Sequence, residues 1–411
     1  MPVAEKDVSL TRGSVMRGML LFAVPIFFSN LFQQLYNAVD SLIVGNFLGG
    51  EALAAVGSSG SLIFLLTGFV NGVSLGAGVL VARHYGSGNA EALRRVVHTT
   101  VALGLTAGAV LSAAGVLLTP QILRWMGTPP EVLGDSIVYF RVYFIGSLSV
   151  VMYNVEASIL QSVGDSRSPM IYLIVASLLN VVLDLWFIAG LHMGVGGAAL
   201  ATILSQTVSA LLAFRRLTCT EAAYGVRWRQ VRFHPATLRA VIAQGVPSGL
   251  QNSVVSLANV IVQANINAFG AQAMAGCGAY SKLEGFAFLP VTCFSMALAT
   301  FVSQNVGAGR PDRVRSSMRF GLAASCLLAE GIGVGMFALA PQLIGVQQAR
   351  TVALFYCLLA FSHCCAGILR GLGRPVVPMA IMLSIWCAVR IAYITVTVQL
   401  IPLIAVIFWA Y

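Results

Sequence analysis

The chain repeats itself, and this limits its folds more than any other feature. At a lag of about 221 residues, Gly86-Ser87-Gly88 returns as Gly307-Ala308-Gly309, and Pro120-Gln121 as Pro341-Gln342. Pro25 and Asn37 return one step later, as Pro247 and Asn259. Further on the lag falls to about 209, where Gly164 meets Gly373 and Pro169-Met170 meets Pro378-Met379. An apolar chain duplicated in this way is expected to build two bundles around a shared cavity.

The chain is apolar enough to need lipid. Hydrophobic residues make up 58% of it and charged residues 9%, against roughly 25% charged in soluble domains. About twelve stretches are long enough to span a bilayer, starting near Gly18, Glu51, Glu91, Glu131, Pro169, Met193, Leu238, Ala273, Asp312, Gln347, Pro375 and Ile401. The expected fold is all-α, with two six-helix lobes related by a pseudo-two-fold axis along the membrane normal. Six spans per repeat is an even number, so both repeats enter from the same side. Residues 1–217 form the first lobe, 218–237 a basic linker, and 238–411 the second lobe. Counted from the lag, the outer loop between spans nine and ten is about twelve residues shorter than its counterpart. The same count makes the last span, from Ile401, incomplete.

The net charge of +10 follows topology. With the N-terminus inside, nineteen basic residues fall in inner segments: Lys6, Arg12, Arg17, Arg83, Arg94, Arg95, Arg167, the six arginines from Arg215 to Arg239, Arg310, Arg313, Arg315, Arg319, Arg370 and Arg374. Arg124 and Arg350 fall outside. This is a positive-inside bias, and it removes the case for a nucleic-acid partner. It puts both termini of the complete protein on the cytoplasmic side. The eight cysteines show no C-x-x-C pair or metal-ligand spacing. The Gly86 and Gly307 turns lack a preceding strand and a further glycine, so they read as helix–turn–helix corners rather than phosphate loops. No clustered nucleophile or acid–base pair near an interface supports an enzyme.

Polar residues inside spans mark the function. Asn30, Gln33, Asn37 and Asp40 make one stripe on span one. Span four carries Asn154 and Glu156. Span five carries Asn180 and Asp184, and span six carries Thr202 and Gln206. A carboxylate at membrane depth marks an ion or proton path. The second-repeat stripe, Asn252, Ser256, Asn259 and Gln263, holds no acid. Cation coupling is therefore expected in the first lobe, with Gln33, Asn37, Gln206 and the second stripe lining a substrate cavity. Glu284 is a second-lobe charge, readable as a structural ion pair with Lys282 or Arg390 or as part of transport.

Pro25 with Gln33, Gln34, Asn37 and Asp40, then YGSGNAEALRR, QSVGDSRSP, NVVLD, GVGGAALAT, SKLEGFAFLP, VSQNVGAGRPDRVR and GILRGLGRPVVPM, together resemble the multidrug and toxic compound extrusion (MATE) transporters. The likeness is greatest to the bacterial branch named after the DNA-damage-inducible protein F. The resemblance implies a monomeric antiporter without a cofactor, exporting small organic cations in exchange for protons or sodium. It puts the coupling roles on Asp40, Asp184, Asn154, Asn180 and Thr202, with sodium, where used, at Asp40, Asp184 and Asn180. The rival readings are a lipid-precursor flippase on a related fold, disfavoured by the few intramembrane bases, and a membrane protein that does not transport.

Overall fold

A computed structural model describes residues 10–267, 277, 280, 283–339 and 350–400. The shortened outer loop and the last span fall outside these residues. The described chain is mainly helical: α1 (Val15–Leu48), α2 (Gly50–Gly86), α3 (Ala90–Trp125), α4 (Pro130–Ile145), α5 (Ser147–Ser162), α6 (Arg167–Asp184), α7 (Gly194–Cys219), α8 (Pro235–Asn267), α9 (Leu289–Gly307), α10 (Pro311–Leu339), α11 (Tyr356–Gly371), α12 (Val376–Ile381) and α13 (Arg390–Leu400). Among the described residues, nine helical segments are long and apolar enough to cross a membrane, ten when α4 and α5 count as one bent span.

The turns repeat as the sequence lag requires. After α2, Ser87 N donates to Arg83 O at 3.0 Å. After α9, Ala308 N donates to Gln304 O at 2.9 Å. Gly88 and Gly309 both adopt left-handed backbone, at φ 69° and 64°. Side chains other than glycine rarely adopt that conformation, and it ends a helix cleanly.

Two spans differ from the sequence expectation. Span four breaks at Gly146, where α4 and α5 meet at 47°. A Cβ on Gly146 would enter the Ile203 side chain of α7, so the glycine admits a close neighbour at the bend. Span seven, α8, is long enough to cross but too polar to stand among the apolar helices. Its polar side chains are used against α2: Asn252 Nδ2 donates to Gly68 O at 3.4 Å and Ser253 Oγ to Leu65 O at 3.1 Å. Buried polar groups need such partners in a medium without water.

The halves interlock at the arginine-rich end. On α1, Met19, Phe22, Ala23 and Ile26 pack with Phe294, Leu298, Phe301 and Cys364 of the second half. Further along, Ile43 and Val44 pack with Phe140, Phe144 and Ala198 of the first. Pro25, inside α1, lies in the part held by the second half. The linker is folded rather than loose: Tyr224 and Val226 are buried, and Arg227 N donates to His98 Nε2 at 3.0 Å.

Arg313 fastens the segment before α1. Its guanidinium donates to the carbonyls of Gly13 at 2.7 Å, Leu10 at 3.1 Å and Arg12 at 3.2 Å, and to Asn305 Oδ1 at 3.1 Å. Arg313→Ala is expected to cost about 2–3 kcal/mol, the scale of lost charge-assisted bonds at a partly exposed site. The check is amide exchange at residues 10–13, which rises in the variant while exchange in the α3 interior stays fixed.

Candidate functional site

The polar residues of α1, α6 and α7 converge inside the first half. Helical spacing puts Asn180 and Asp184 on one face of α6, and Thr202 and Gln206 on one face of α7. Asn180 is 1% exposed and Asp184 0%, so both are sealed from lipid and water. Asn180 Nδ2 donates to Thr202 Oγ1 at 3.5 Å, and Thr202 Oγ1 in turn to Ala198 O at 3.1 Å. Gln206 Nε2 donates to the Tyr36 hydroxyl at 3.5 Å. Tyr36, Ala176, Ser177, Asn180, Thr202, Ser205 and Gln206 line one narrow crevice.

Asp40 lies one turn beyond Tyr36 on α1, and its carboxyl meets that of Asp184. Both Asp184 oxygens, Asp40 Oδ1 and Asn180 Oδ1 are buried without a hydrogen-bond donor. Two ionised carboxylates only accept hydrogen bonds, so they cannot satisfy one another. A proton shared between them, or a cation among these oxygens, would relieve both the repulsion and the missing donors. Directly after Asp184 the chain takes a π-helical turn, Leu185–Gly190. Such wider turns are frequent at functional sites.

Asp40, Asp184, Asn180, Thr202 and Gln206 are thus brought together. Asn154 sits on α5 and donates to Val150 O of its own helix at 2.7 Å. Gln33 and Asn37 are exposed on α1. In the second half Asn252 is occupied by α2, and Asn259 Oδ1 accepts from Arg390 Nη1 at 3.0 Å. Arg390 also stands 5.2 Å from the Trp386 ring and within electrostatic reach of Glu284. Lys282 and the side chains of Ser256 and Gln263 lie outside the described residues. No group of three or more His, Cys, Asp or Glu side chains gathers for a metal among the described residues.

Two tyrosines at the site were not singled out from sequence. Tyr36 bonds Gln206, and Tyr139, 6% exposed, lies within electrostatic reach of Asp40 and Asp184. Their signal was weak, because an aromatic in an apolar span reads as packing. The i, i+4 relation of Tyr36 to Asp40 was the available clue.

The MatE family model matches residues 25–186 and again 247–396, once in each repeat. The chain belongs to the MATE family. It is 30% identical to the probable multidrug resistance protein YoeA of Bacillus subtilis over 353 residues, covering 84% of this chain and 76% of that one. It is 32% identical to the DNA damage-inducible protein F of Escherichia coli over 195 residues, 46% of this chain and 41% of that protein. Its fold superposes with a TM-score of 0.92 on the outward-facing conformation of a multidrug resistance MATE family transporter, at 22% identity, covering 98% of this chain and 93% of the other. The protein is a multi-pass helical member of a transporter family.

Proposed function

We propose that this MATE protein is a secondary antiporter that exports small organic cations in exchange for protons or sodium ions, with Asp40 and Asp184 as the exchange site. The observation that carries the reading is the meeting of two acceptor-only carboxylates, Asp184 fully buried and Asp40 partly so, with Asn180 Oδ1 also unpartnered beside them. An incoming proton or sodium ion neutralises the pair. The negative potential that held a cationic substrate falls, and the substrate leaves. Asn180 supplies a neutral oxygen beside the two acids when the ion is sodium, and Thr202 orients its amide. Tyr36 and Gln206 line the approach. Pro25 removes one backbone hydrogen bond from α1, which lets the helix carrying Asp40 bend as the charge changes. Residues 1–217 and 238–411 rock against each other in this reading, joined by 218–237. The arginine-rich end faces the cytoplasm of a bacterial inner membrane, and the working unit is the monomer.

The test is efflux of a cationic dye from proteoliposomes under a proton gradient alone and under a sodium gradient alone. Efflux with either gradient supports exchange and names the ion. No gradient-driven efflux of any organic cation tried would remove the proposal.

A further inference from the structure

We propose that two repeat-related hydrogen bonds, Arg83 to Gly371 and Gln304 to Ser162, form a latch that holds the arginine-rich end shut and sets how often the transporter opens there. The bonds are copies of one another. Arg83 and Gln304 occupy the same place at the ends of α2 and α9, 221 residues apart. Ser162 and Gly371 are the last residues of α5 and α11, 209 apart, the second lag in the sequence. Arg83 Nη2 donates to Gly371 O at 3.3 Å, and Gln304 Nε2 to Ser162 O at 2.7 Å. Each donor reaches from one repeat into the other.

The acceptors are carbonyls that their own helix ends do not use. In the first repeat Asp165 N bonds Leu160 O and Gly164 N bonds Gln161 O, both at 3.0 Å. In the second, Arg374 N bonds Leu369 O and Gly373 N bonds Arg370 O, both at 2.9 Å. These Schellman-type turns satisfy two carbonyls and turn the next one, Ser162 or Gly371, toward the opposite repeat. A helix C-terminus carries negative partial charge, so a donor there is well placed, and a cationic one better.

The surroundings are those of a tight crossing between the repeats. A Cβ on Gly86 would run into the Gln304 carbonyl, and a Cβ on Gly307 into the Arg83 carbonyl. The ends of α2 and α9 therefore cross backbone to backbone, again in a repeat-related pair. Ser303 Oγ adds a bond to Val79 O at 2.6 Å, and its repeat counterpart, Ala82, has no hydroxyl to return it. The latch is symmetric in place and unequal in chemistry. One arm is a partly exposed cation, and the other is an amide on a residue 1% exposed. Any transporter that works by alternating access must break both arms to open this end, whatever its cargo or driving ion. Bonds of this kind each bias an equilibrium by about fivefold when neutral and by tenfold or more when charged. That is enough to favour the closed state without trapping it.

The test is a distance measurement between spin labels at Arg94→Cys and Arg315→Cys, both exposed at this end, in the full chain with Cys219→Ser in lipid nanodiscs. Arg83→Met and Gln304→Met keep side-chain length and remove the donors. Each single variant is expected to raise the long-distance population about fivefold or more relative to the short one, and the double variant further. Arg83→Lys keeps a cationic donor and stays near the parent. Arg95→Ala removes a cation at the same end that pairs, among the described residues, with Glu91 of its own helix, and leaves the distances unchanged. Parent-like distances in both single variants would overturn the latch, and so would an equal shift in Arg95→Ala. The single variants carry the test if the double variant does not fold.

Discussion

Asp40→Asn combined with Asp184→Asn is expected to abolish ion-driven export while leaving the protein folded. The amide keeps the shape of the carboxyl and brings hydrogen-bond donors to a place where the buried oxygens have none. The fold therefore loses an unpartnered charge pair and gains capacity to bond, and thermal stability holds or rises. Transport loses the group whose charge changes, because an amide neither takes up a proton at physiological pH nor balances a sodium ion. Each single variant is expected to lower coupled efflux by at least tenfold, since the remaining acid has no partner with which to share an ion. The measurement is dye efflux under an imposed gradient at matched reconstituted protein, beside a melting curve. Near-normal gradient-driven efflux by the double variant would sink the first-half mechanism. Glu284→Gln is the comparison: its neighbour is Arg390, so the variant is expected to lose stability along with activity. Normal melting with lost coupling in Glu284→Gln would move the exchange site to the second half.

The parts of this molecule that were legible in the sequence are those set by spacing along one helix or by repetition. The Asp40 stripe, the Asn180–Asp184 and Thr202–Gln206 pairs, the turns at Gly88 and Gly309, and the correspondence of Gly164 with Gly373 all follow from helical period or from the two lags. What stayed hidden depends on a partner distant in sequence whose chemistry carries no side-chain signature. Asn252, read from sequence as part of a polar stripe lining a cavity, donates to the main-chain carbonyl of Gly68, 184 residues away. Arg83 and Gln304 likewise end on carbonyl oxygens, which every residue possesses. The bend at Gly146 was invisible for a related reason. Glycine in a membrane helix signals close packing in general, and only the position of Ile203 shows that packing here accompanies a break.

Glycine chemistry also gives the sharpest test of how α2 and α8 hold the halves together, because one substitution should have opposite effects at two positions. Gly72 and Gly76 on α2 face Gly245 and Gly249 on α8, at the four-residue spacing that lets two helices touch backbone to backbone. A Cβ on Gly76 would lie 2.5 Å from both the Gln244 carbonyl oxygen and the Gly245 Cα. These are main-chain atoms and cannot swing aside as a side-chain tip does. Gly76→Ala must therefore separate the helices, stretching the bonds from Asn252 and Ser253 to α2 at 3.4 and 3.1 Å. The expected cost is about 2–3 kcal/mol, typical of overpacking, and it outweighs the helix propensity that alanine adds, about 1 kcal/mol. Gly134 on α4 has nothing within 4 Å of the same added atom. There the propensity acts alone, and Gly134→Ala is expected to stabilise by up to about 1 kcal/mol. Melting of the two variants beside the parent in one detergent decides the matter. A Gly76→Ala protein as stable as Gly134→Ala would mean that α2 and α8 do not pack by direct backbone contact.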